Sequence, residues 1–114
     1  MLHTTLAHGR WFELSLPEQM ANIGSEVHRL ILFQKNQDQA RFDAAFDRTL
    51  ELIDLTLADL RWKEGYKEIA RIREVLCDIY FGKNQYDTSL EALDNYFFQF
   101  AIVAQRDKQI RQNN

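Results

Sequence analysis

"HGRWFELSLPEQMANIGSEVHRLILF", residues 8–33, decides the fold of this 114-residue chain. Within it, Ser15-Leu16-Pro17-Glu18 has the form of a capping box. The Ser15 hydroxyl accepts a backbone N–H of the first turn, and Glu18 reaches back to the Ser15 N–H. Pro17, the only proline, falls in that turn, where its missing N–H breaks no helical bond. Leu16, Met20, Ile23, Val27, Leu30 and Ile31 then recur at helical spacing, so a first helix is expected over about residues 15–34. Gly24 borders this stripe, next to the small residues Ala21 and Ser25. A helical glycine costs about 1 kcal/mol relative to alanine, and close packing of a second helix is the compensation expected here. Trp11 and Phe12 precede the cap and are expected to fold over the end of the helices.

The polar break "QKNQDQ" separates a second helix, about 38–59. Its core stripe is Phe42, Phe46, Thr49, Leu50, Ile53, Leu57 and Leu60. It stops within "ADLRWKEG", where Gly65 is a stop signal and Asp59 an alternative cap for the next helix. A third helix, about 65–81, turns Tyr66, Ile69, Ile72, Leu76, Ile79 and Tyr80 to one side and ends at Gly82. Thr88-Ser89-Leu90-Glu91 is a second capping box. It opens a fourth helix, about 89–108, with Leu90, Leu93, Phe97, Phe100, Ala101 and Ala104 inward. The ends, 1–9 and 109–114, are expected to be flexible. Four amphipathic helices joined by short connections predict a single all-α domain over 1–114, an antiparallel up-down-up-down four-helix bundle.

Composition narrows the function classes. Hydrophobic residues make up 46% and charged residues 27% of the chain, the balance of a globular protein. No apolar run approaches the roughly 18–20 residues of a membrane span, and the start lacks the form of a secretory signal. The expected location is therefore cytoplasmic, with no membrane partner. One cysteine, Cys77, allows no intrachain disulfide and no cysteine metal cluster; it borders the core stripe and is expected to be a buried, inert thiol. A di-iron site in a helical bundle needs Glu-x-x-His motifs. None is present, since the residue three before His28 is Ser25, and His3 and His8 precede the first helix. The carboxylate pairs Asp43/Asp47 and Glu64/Glu68 fall on solvated faces. His28 has no nucleophile placed for it by helical spacing, and there is no strand-turn-helix elbow or phosphate-binding glycine loop. The arginine-then-histidine motif of the HEPN ribonucleases is absent as well. No catalytic residue, metal ligand or cofactor is assigned, and the expected class is non-enzymatic.

Two features remain after the core stripes are filled. Phe98 and Ile102 on the fourth helix, Leu52 and Leu55 on the second, and Leu32 and Phe33 on the first fall off the inward faces. Together they predict a second apolar surface, and with it a homo-oligomer or a protein partner. A basic run, Arg61, Lys63, Lys67, Arg71 and Arg73, with Trp62 and Tyr66 interleaved, offers an alternative contact with nucleic acid. The net charge of −3 and the interspersed Glu64, Glu68 and Glu74 weigh against it.

The segments "GRWFELSLPEQMANIGSEVHR", "RTLELIDLTLAD" and "RIREVLCDIYFG" resemble a family of short, uncharacterised bacterial all-helical proteins. The resemblance spans about residues 9–104 and implies a bacterial source and an all-helical fold, with no activity attached. A looser architectural similarity is to the four-helix proteins related to the ribosomal-RNA intervening-sequence protein. These include the accessory variability protein of diversity-generating retroelements, which forms rings and presents a basic surface to nucleic acid and a reverse transcriptase. No motif matches at the residue level, so it bears on architecture alone.

Overall fold

The computed structural model describes residues 9–113, and those residues are all-helical. After a helical turn ending at Trp11 come α1 (Leu16–Lys35), α2 (Gln39–Leu57), a 3-10 segment (Leu60–Gly65), α3 (Tyr66–Phe81) and α4 (Leu90–Asn113). The opening stretch behaves as its signals predict. Ser15 Oγ accepts from the Glu18 N–H at 3.3 Å and Glu18 Oε1 from the Ser15 N–H at 3.0 Å, so the capping box closes.

α1 packs on α2 and α4, and α3 packs on α2 and reaches α4 through Glu68 and Tyr96. Neighbouring helices run antiparallel, as their side-chain contacts show. Arg48 reaches Glu26 midway along α1 and α2, while Trp11, ahead of α1, bonds Thr56 near the end of α2. Arg73 of α3 meets Asp54 of α2 at 2.7 Å, and Arg111 near the end of α4 comes within 3.8 Å of Glu18 at the start of α1. The core between these elements centres on Ile23, Val27, Leu30, Ile53, Leu76 and Phe97. Each such side chain contributes about 1.5–3 kcal/mol on burial. Gly24 packs as expected: a Cβ there would stand 2.6 Å from Phe97 Cβ, so α1 and α4 approach only because it is absent. At the other seam the Tyr80 ring stacks on Phe46, with centroids 3.9 Å apart, and its hydroxyl donates to Asp43.

The structure departs from the sequence expectations in several places. α2 ends at Leu57, and Asp59 caps the 3-10 segment by accepting the Arg61 N–H. That change of geometry swings Leu60 out of the α2 stripe, leaving it 82% exposed, and leaves Tyr66 exposed at the first residue of α3. The second capping box does not form. Ser89 alone caps α4, accepting from Ala92, while the Thr88 hydroxyl donates to the Tyr86 carbonyl. Ala101 is exposed rather than inward. α4 continues to Asn113 instead of ending near 108, since Gln109, Ile110 and Arg111 carry no stop signal and Arg111 finds Glu18. Of the ends expected to be flexible, residues 1–8 and 114 lie outside the described residues. Gly82 meets its expectation, with φ +73° at the end of α3. The loop after it is tied by the buried Asp78 carboxylate, which accepts from the N–H groups of Gln85 (2.8 Å) and Tyr86 (3.1 Å).

Candidate interaction surface

Packing α4 against α1 at Gly24 leaves a shallow groove of about 600 Å³ along the outside of the seam. Its floor is made of small residues, Ala21, Gly24 and Ala101, backed by Phe97. Phe98 and Leu32 stand on its rim, 65% and 45% exposed, and Ile102, one turn beyond Phe98, is 46% exposed. Its polar side carries His28, whose Nδ1 lies 3.3 Å from Asp94 Oδ2 across the two helices. Ser25 and Arg29 also line a second recess, between α1 and α2, of about 490 Å³, whose apolar wall includes Leu52 and Leu55.

The six residues expected to form an apolar surface therefore divide. Phe98, Ile102 and Leu32 are exposed as anticipated. Leu52 is buried, which corrects its assignment as surface, and Leu55 and Phe33 are half-buried against the core. The reason is geometric: α2 has α1 on one flank and α3 on the other, so its buried arc is wider than a single stripe. Phe33 is drawn into the corner where α1 turns into α2, beside Phe42.

The basic run divides as well. Arg61 donates to Asp59 Oδ2 (2.6 Å) and to the Leu14 carbonyl (2.7 Å), and lies over the Trp62 ring at 4.4 Å. Arg73 is paired with Asp54, and Arg71 lies over Tyr86 at 5.3 Å. Lys63 and Lys67 are exposed. Arg61 and Arg73 thus serve the fold, and the stripe is narrower than its sequence.

A second concentration of polar groups sits where the 3-10 segment meets α1, and sequence reading missed it. Gln19 is fully buried, yet all its amide groups are used. Its Nε2 donates to the Trp11 carbonyl (2.9 Å) and to Asp59 Oδ2 (3.1 Å), and its Oε1 accepts from Trp62 Nε1 (2.9 Å). Trp11 Nε1 donates to Thr56 Oγ1 at 3.1 Å. Arg61 together with Gln19 holds the Asp59 carboxyl down at about 2. Such a satisfied buried network orders its surroundings; here it fastens the segment before α1 to the segment after α2. The available signal was a glutamine at an inward position of α1, in step with Leu16 and Ile23.

The carboxylate pairs are partly recruited into contacts between helices. Asp43 accepts from Tyr80, and Glu68 accepts from Tyr96, whose phenol is pushed well up by burial and by that carboxylate. The Ser25 hydroxyl donates to the Ala21 carbonyl at 3.2 Å. Cys77 is half-buried rather than buried. Among the described residues no group of three or more His, Cys, Asp or Glu could hold a metal ion, and no helix is long and apolar enough to cross a membrane. His3 and His8 lie outside the described residues. No protein-family model, curated protein or solved structure matches the chain.

Proposed function

We propose that this chain is an up-down-up-down four-helix bundle that acts without catalysis, in the cytoplasm, by self-association and by docking a protein partner. The observation that supports this reading is the exposure of Phe98, Leu32 and Ile102 together around the α1–α4 groove. Single exposed apolar residues are ordinary, but adjacent ones around a groove mark a contact surface. Covering Phe98 alone would contribute about 1.5–3 kcal/mol to an interface. The polar groups nearby suit a rim rather than a reaction: His28 faces Asp94, and Ser25 is turned to its own helix.

Light scattering on a sizing column, over a range of concentrations and with absorbance read at 260 and 280 nm, tests the proposal. Self-association that weakens in Phe98→Asp, with unchanged helicity, is the expected result. A monomer at every concentration would overturn the self-association. Co-eluting nucleic acid that is lost on reversing Lys67 and Arg71 would replace this reading with one based on the basic segment.

A further inference from the structure

We propose that the outer edge of α4 is one half of a two-fold interface. In it, α4 packs antiparallel on α4 of a second copy, with the axis midway between Phe98 and Ile102. This rests on the self-association reading above and specifies its geometry. Asp94, Phe98, Ile102, Arg106 and Ile110 follow one another at intervals of four residues on α4. They form a single ridge, and two such ridges interdigitate at a crossing angle near −50°. Phe98, Ile102 and Ile110 are 65%, 46% and 53% exposed. Arg106 is exposed and has no ion-pair partner among the described residues. Asp94 engages His28 through Oδ2.

The order of charges along this ridge selects the partner and its direction. With the axis at that point, Phe98 faces Ile102 of the second copy, and the same register brings Asp94 opposite Arg106. By symmetry each contact occurs twice, as an isologous interface requires. A parallel arrangement in register would instead set Asp94 against Asp94 and Arg106 against Arg106. The flanking positions raise no conflict, since Asn95 falls opposite Gln105 and Gln99 opposite Ala101. From Asp94 to Arg106 the ridge is thus complementary to a reversed copy of itself, while Ile110 falls beyond the paired stretch, opposite the position of the buried Leu90.

The test is a charge-swap cycle at low ionic strength, read as the dimer dissociation constant by sedimentation equilibrium. Helicity is checked for each variant by circular dichroism. Asp94→Arg and Arg106→Asp each place like charges in both symmetric contacts and are expected to weaken the dimer by about tenfold. The double variant restores the pairs with reversed polarity and is expected to return close to wild type. A second measurement uses Asp94→Cys with Arg106→Cys in a Cys77→Ser background, treated with a short bis-maleimide; a covalent dimer is expected. A wild-type dimer whose single variants are unaffected, or are weakened without rescue in the double, would overturn this register and leave self-association standing. A wild-type protein that is monomeric at every concentration would overturn both.

Discussion

Gly24 of α1 lies under Phe97 of α4 so closely that a methyl group in place of its hydrogen would come within 2.6 Å of Phe97 Cβ. The clash is with the base of a fully buried side chain, so neither partner can rotate away. Gly24→Ala should therefore lower stability by about 1–3 kcal/mol despite the better helix propensity of alanine. Urea denaturation followed by far-ultraviolet circular dichroism measures this; a more stable variant would show that α1 and α4 can separate without penalty.

Removing the Gln19 amide should be among the most damaging single changes. In Gln19→Leu the Trp62 indole N–H loses its partner, the Trp11 carbonyl keeps only the Leu14 N–H, and Asp59 keeps only Arg61. With about 1–3 kcal/mol for the one group left unpaired, and the lost bonds to the Trp11 carbonyl and Asp59 added, the loss should reach about 3 kcal/mol. Thr56→Val, which orphans only Trp11 Nε1, should lose less, within about 1–3 kcal/mol. Equal losses in the two variants would mean that the network does not act through Gln19.

Acid should weaken this same corner. Asp59 titrates at about 2 in the folded protein against an ordinary 3.8, so the unfolded chain binds its proton first. Its stabilising contribution is complete above the ordinary value and disappears as pH falls through the folded one. Denaturation midpoints should decline between pH 4 and 2, and Asp59→Asn, less stable at neutral pH, should decline less over that window. The lowered Glu18 adds to the wild-type slope in the same direction and is unaffected by the variant.

The loop between α3 and α4 hangs on one carboxylate. Asp78→Ala removes the acceptor for the Gln85 and Tyr86 N–H groups. Hydrogen exchange at those two amides should accelerate by at least tenfold, the equivalent of about 1.4 kcal/mol, with little change within α1. Unchanged exchange there would show that the loop is held by the Tyr86–Glu74 contact instead.

α1 was legible because its signals are local: the Ser15–Glu18 box, Pro17 and the apolar stripe all act within one helix. Gly82 was legible for the same reason. The stretch from Asp59 to Tyr66 was not, because its 3-10 geometry depends on contacts from distant residues, Gln19 to Asp59 and Trp62 to Gln19. Leu60 and Tyr66 were misplaced with it. Leu52 looked superfluous because helical periodicity measures one buried stripe, whereas α2 is flanked on two sides. Phe98 and Ile102 were recognisable because α4, at the edge of the assembly, packs chiefly on α1, and for such a helix one stripe is an adequate description.

The meeting of both tryptophans at Gln19 has a spectroscopic consequence. All the indole emission of the protein originates at one end, near the junction of α1 with the 3-10 segment, while the tyrosines are distributed along α3, its loop and α4. Tryptophan fluorescence will therefore report the anchoring of that end and be nearly blind to events at Phe98. An intensity change on denaturation that precedes the loss of helical ellipticity would reveal the corner opening ahead of the helices. Association through α4 should pass unnoticed in emission spectra, yet be visible to a fluorophore attached along its outer edge.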